Sequence, residues 1–80
     1  MNLFVTNISH VVKQEALKAL FSEFGQVSSV KIIMDKETGE SRGFGFVEMV
    51  NDGQGQDAIN KLNNAAFFGK TLAVSKARPK

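Results

Sequence analysis

From Asn2 to Asn7 the residues divide by parity, with Leu3 and Val5, both aliphatic, at one parity and Asn2, Phe4 and Thr6 at the other. That is the period of a strand whose two faces meet different surroundings. A helical spacing follows from about Lys13 to Phe24, where Ala16, Leu17, Leu20, Phe21 and Phe24 share one side, and Gly25 is placed to stop the helix in the left-handed conformation. Val27 to Met34 is rich in β-branched residues and predicts a second strand, with Val30 and Ile32 inward and Lys31 and Ile33 opposite. The polar run DKETGES, Asp35 to Ser41, predicts a hairpin loop into a third strand that carries RGFGFVEM, Arg42 to Met49. In that strand Val47 and Met49, with small glycines between, suit a core, while Arg42, Phe44 and Phe46 take the other parity.

After Val50, NDGQGQDAINKLNN opens on capping residues and offers Ala58, Ile59 and Leu62 as a helical face. Gly53 and Gly55 each weaken a helix interior by roughly 1 kcal/mol, so a frayed or late-starting helix is expected. Phe67 is expected inward, Phe68 half exposed beside a turn at Gly69, and Thr71 to Lys76 as a last strand with Leu72 and Val74 inward and Ala73 and Ser75 on the opposite face. The order strand, helix, strand, strand, helix, strand is the split βαβ, ferredoxin-like arrangement. The expected fold is therefore α+β, a four-stranded antiparallel sheet with two helices on one face and the other face open.

Eighty residues, 42% of them hydrophobic, make one modest core, so residues 1–80 are read as a single domain with a short basic end at 77–80. The chain has no cysteine, which removes disulfides, thiolate metal sites and cysteine nucleophiles together. No apolar run approaches the roughly 20 residues that span a bilayer, and Met1 leads almost at once into strand-like sequence, so no membrane association and a cytoplasmic location are expected. A net charge of +2 carries little information by its size, and its distribution matters more.

The apolar stripe at the wrong parity is the informative feature. Two helices cover only one face of the sheet, and Leu17, Leu20, Phe21, Phe24, Ile59 and Leu62 already serve it, so Phe44 and Phe46 are left toward solvent with Arg42 beside them. If the first and third strands are neighbours, Phe4 joins them in one aromatic cluster. Flat rings beside a cation are what an unpaired nucleic-acid strand needs from a binding platform.

With these residues in view the chain resembles the RNA recognition motif (RRM) family: Leu3 to Ile8 matches its shorter signature and Arg42 to Met49 its longer one. Seven of the eight longer-signature positions fit; the departure is Met49, where the family usually has an aromatic, at a position pointing into the core. The resemblance extends over essentially the whole chain and implies that the two signatures lie side by side on the central strands. It implies a single-stranded RNA partner, with bases stacked on Phe4 and Phe46, Phe44 inserted against sugars, and Arg42 on a phosphate. Lys31 and Arg78 are further candidates for the backbone, and Asn2, Thr6, Asn7, Glu48, Ser75 and Ala77 for base edges or the rim. Glu48 would repel phosphate and accept from a base amino group. The compact outline is similar to single-domain bacterial RNA-binding proteins and implies a post-transcriptional role on messenger RNA, with sequence-tolerant to moderately selective binding.

Other readings compete. An RRM-fold module that docks a protein would use the same aromatics as anchors, but degraded signatures would favour it and these are intact. Single-stranded DNA is an alternative ligand, because stacking does not sense the sugar. An enzyme needs a converging nucleophile and base, and one histidine with scattered serines and acids does not supply them. His10 is expected as a surface or helix-entry contact. No cofactor, metal or small-molecule substrate is expected.

Overall fold

In the computed structural model, which describes residues 1–77, the alternation read from the sequence becomes a sheet with one covered face. The elements are β1 (Asn2–Thr6), α1 (Gln14–Ser22), β2 (Val27–Met34), β3 (Ser41–Met49), α2 (Asp52–Leu62), β4 (Ala66–Phe67), β5 (Lys70–Thr71) and β6 (Ala73–Lys76). Four of them form an antiparallel sheet in the order β2-β3-β1-β6, so the two signature strands are the central pair. The fold is ferredoxin-like, with a small β4–β5 hairpin inserted before the last sheet strand. Leu3, Val5, Ile32, Val47, Met49 and Val74 from the sheet meet Leu17, Phe21, Ala58 and Leu62 from the helices in one core. Ile8 and Val12, from the loop before α1, and Leu72, between β5 and β6, complete it. Met49 is fully buried, so the departure from the family pattern is accommodated by packing.

Two expectations about the helices are corrected. Gly25 does not stop α1 in the left-handed conformation, because its φ of 159° is close to extended. The helix ends earlier on a tight bond from Phe24 N to Phe21 O at 3.0 Å, and Gly25 is small because a β-carbon there would overlap the Gln54 side chain. The second correction concerns α2, which starts promptly at Asp52 despite its two glycines. Asn51 caps it by accepting from Gln54 N at 2.9 Å, which satisfies one orphan amide of the first turn. Gly55 is buried against Met1, whose Sδ would stand 2.7 Å from an added β-carbon. Packing offsets the glycine cost that propensity alone assigns.

The last strand is also shorter than expected. Lys70–Thr71 pairs with Ala66–Phe67, and only Ala73–Lys76 joins the sheet. The break falls at buried Leu72, whose N–H donates to Ala65 O at 2.9 Å while its carbonyl accepts from Asn64 N at 2.8 Å. Those two bonds turn the backbone away from the ladder. The β4–β5 turn has both central residues, Phe68 and Gly69, at positive φ (53° and 82°), the geometry whose twist matches a tight hairpin.

Candidate nucleic-acid interface

The register of the four strands arranges the open face as a lattice. Its middle row runs Lys31, Phe46, Phe4, Ser75 from β2 to β6. One row to one side holds Phe44, Thr6 and Ala73, and one row to the other holds Ser29, Glu48 and Asn2. Phe4 sits at the centre, its ring 5.2 Å from Phe46 at a tilt of 36° and 6.0 Å from Phe44 edge-on at 61°. Such pairs are worth roughly 0.5–1.5 kcal/mol each and hold the rings in fixed orientations. Phe46 remains 40% exposed, and Phe4 and Phe44 are half-buried by one another and not by an overlying element of the described residues.

Close backbone approach sets how β2 and β3 meet beneath this surface. A β-carbon on Gly45 would strike the Lys31 carbonyl and lie 3.0 Å from Ile32 Cα, so β2 and β3 meet here only because residue 45 has no side chain. Gly43 takes φ 82°, its N–H donates to Ser41 Oγ at 3.1 Å, and its carbonyl accepts from Ile8 N at 2.8 Å. This bend at the start of β3 brings Arg42 to a cleft shared with Phe4, Phe44, Thr6, Asn7, His10 and Lys70. Asn7, at φ 60°, donates from Nδ2 to Thr71 O at 2.6 Å, which ties the β1–α1 loop to β5 and leaves its Oδ1 for other partners.

Behind Arg42 the β2–β3 loop is closed by Asp35. Its carboxylate accepts from Glu37 N at 2.8 Å and Thr38 N at 3.2 Å, and its pKa is lowered by these two backbone donors first and by the Arg42 charge less. At the opposite end of the sheet Glu48 Oε1 accepts from Ser28 Oγ at 2.5 Å. Ala77 N donates to Asn2 O at 2.8 Å, so the chain leaves β6 beside that row.

The structure thus brings Phe4, Phe44, Phe46, Lys31, Thr6 and Ser75 together on adjacent positions, with Arg42 and Asn7 at one end and Asn2, Glu48 and Ala77 at the other. Arg78 lies outside the described residues. Sequence reading missed Lys70 and Ser28. Lys70 was hidden because the FFGK turn gave no sign of folding back toward β1, and Ser28 because a register shift between Val27 and Ser29 breaks simple parity. The arrangement offers flat apolar rings flanked by cations, which suits stacked bases and their phosphates. No group of three or more His, Cys, Asp or Glu residues suited to holding a metal occurs among the described residues.

Known proteins resemble the chain over nearly its whole length. Residues 3–73 match the family model described as RNA recognition motif. The chain is 45% identical to "Putative RNA-binding protein RbpB" of Nostoc sp. strain PCC 7120, over all of this chain and 78% of that one. A crystal structure of RNA Binding Protein PG1 superposes with a TM-score of 0.94 at 43% identity, over 100% of this chain and 99% of that chain. The Sxl-lethal protein/RNA complex superposes at 0.92 with 35% identity, over 99% of this chain and 47% of that chain.

Proposed function

The chain belongs to the RNA recognition motif family, and from that membership we propose that it binds single-stranded RNA on the open face of its sheet. The observation that carries this reading is the cluster of Phe4, Phe44 and Phe46, packed ring against ring yet left open to solvent beside Arg42 and Lys31. A base lying on Phe4 or Phe46 gains on the order of 1–3 kcal/mol with little regard to its identity. Phe44, half-buried against Phe4, presents its remaining surface to the sugars between two such bases. Arg42 provides a planar, permanently charged fork for phosphate, a role that lysine fills less well. Lys31, in register with Phe46, follows the backbone on the β2 side.

The protein acts by binding and not by chemistry, in keeping with its family. We extend the proposal to a post-transcriptional role on messenger RNA in the cytoplasm, with sequence-tolerant to moderately selective recognition; the relatives' names support its RNA-binding part. The test is a titration of a randomised single-stranded RNA pool with sequencing of the bound fraction, on wild type and on a Phe4→Ala, Phe46→Ala double variant checked for folding. Motif enrichment by wild type alone is the expected result. Equal and negligible retention by both overturns the reading and points to a peptide on the sheet. A matched single-stranded DNA pool reports whether the sugar is sensed.

A further inference from the structure

At the Asn2–Glu48 end of the sheet the charge pattern reverses. Glu48 projects from β3 two positions beyond Phe46 on the same face, which separates their backbones by roughly 7 Å. It faces Asn2 directly across β1 and Ser29 across β2. An exposed glutamate on a strand ordinarily samples several rotamers, but here the Ser28 hydroxyl holds one carboxylate oxygen at 2.5 Å. Met1, Asn2, Glu48, Asp52, Lys76 and Ala77 border one shallow depression, in which the Asp52 carboxylate is paired with the N-terminal ammonium of Met1 at 3.3 Å. The Ala77 N–H donates to Asn2 O at 2.8 Å, so among the described residues the groups of that corner left for a ligand are the fixed Glu48 acceptor, the Asn2 carboxamide and the Lys76 ammonium.

A carboxylate beside a polyanion is unfavourable unless it meets donors. Uracil presents one N–H between two carbonyl oxygens that a carboxylate repels. Adenine and cytosine each present an amino group next to a bare acceptor nitrogen. Guanine presents two adjacent donors, N1–H and the N2 amino group, which match the two oxygens of a carboxylate, with O6 beyond them as an acceptor for Lys76 or the Asn2 amide.

We propose, on the RNA-binding reading above, that Glu48 is a base reader that selects a guanine stacked on the Phe4–Phe46 row, and that Ser28 is its positioning residue. Glu48 supplies the specificity that the phenylalanines lack. Its negative charge weakens every complex slightly and favours the one base whose paired donors offset it.

The test uses short oligouridine strands carrying a single guanosine, inosine, adenosine or cytidine, titrated against wild type, Glu48→Gln, Ser28→Ala and Phe46→Ala. Wild type should bind the guanosine strand about tenfold more tightly than all-uridine, the size of one good bidentate base contact. Inosine, which lacks only the N2 amino group, should fall between. Glu48→Gln should erase both differences while all-uridine binding holds or rises. Ser28→Ala should narrow the guanosine-to-inosine ratio, whereas Phe46→Ala should weaken every strand. A guanosine preference that survives Glu48→Gln, or a preference for uridine, overturns the proposal. Equal wild-type binding to all strands removes the reader and leaves the platform standing, and no wild-type binding to any strand removes both.

Discussion

Phe21 and Phe46 are the same side chain in opposite surroundings, one fully buried on the core face of α1 and the other 40% exposed on the sheet. Phe21→Ala should therefore cost roughly 3–5 kcal/mol of stability, read from urea unfolding. Phe46→Ala should cost only the roughly 0.5–1.5 kcal/mol of its pairing with Phe4, yet weaken RNA binding by roughly 1–3 kcal/mol, the value of one base stack. If Phe46→Ala unfolds the protein, the ring belongs to a core and the platform is misassigned. Asp35 carries a pH prediction at the same scale. Its carboxylate has a folded pKa below the unfolded one, so its contribution is present above the ordinary carboxylate value and is lost as pH falls through the lower, folded value. The β2–β3 loop should stay ordered through neutral and mildly acid solution and loosen only below the ordinary carboxylate range. Amide shifts of Glu37 and Thr38 would follow this, and a midpoint at or above the ordinary value would contradict it.

Two glycines one element apart give different expectations. Gly45→Ala places a β-carbon against the Lys31 carbonyl where β2 and β3 pair, and overpacking against backbone should cost roughly 1–3 kcal/mol. Gly53→Ala, exposed in the first turn of α2, sets a propensity gain of about 0.5–1 kcal/mol against a 3.2 Å contact with Asn51 Oδ1, the helix's capping acceptor, so its stability should stay within about 1 kcal/mol of wild type. Thermal unfolding of the two variants separates close approach from propensity. The same contrast explains what could be read from sequence. The parity of the aliphatic residues placed β1 and β3 with the correct faces, because a one-residue slip would have exposed Leu3, Val5 and Val47. The prompt start of α2 was not legible, since the support for Gly55 comes from Met1, which is distant in sequence. Nor was the break at Leu72, which depends on hydrogen bonds to Asn64 and Ala65.

Over the whole molecule the net charge of +2 conceals an uneven distribution: Arg42 and Lys70 gather at one end of the open face, and Glu48 and Asp52, with Lys76 beside them, lie toward the other. The platform was legible because three phenylalanines occupy a parity that two helices cannot cover. The flanking groups were less so, because Lys70 and Ser28 reach the face through a turn and a register shift. With two or three phosphate contacts, affinity should be near micromolar, about −8 kcal/mol, with a log-log salt slope of about −1.4 to −2. Arg42→Ala should weaken all sequences alike and make that slope shallower by about 0.7, measured by anisotropy across a salt series. The most direct test of the account is amide chemical-shift mapping during titration with a short single-stranded RNA. Shifts centred on Phe4, Thr6, Lys31, Phe44 and Phe46, with Leu17, Phe21 and Ala58 unmoved, are the predicted result. Shifts confined to α1 and α2 with a silent sheet would contradict it.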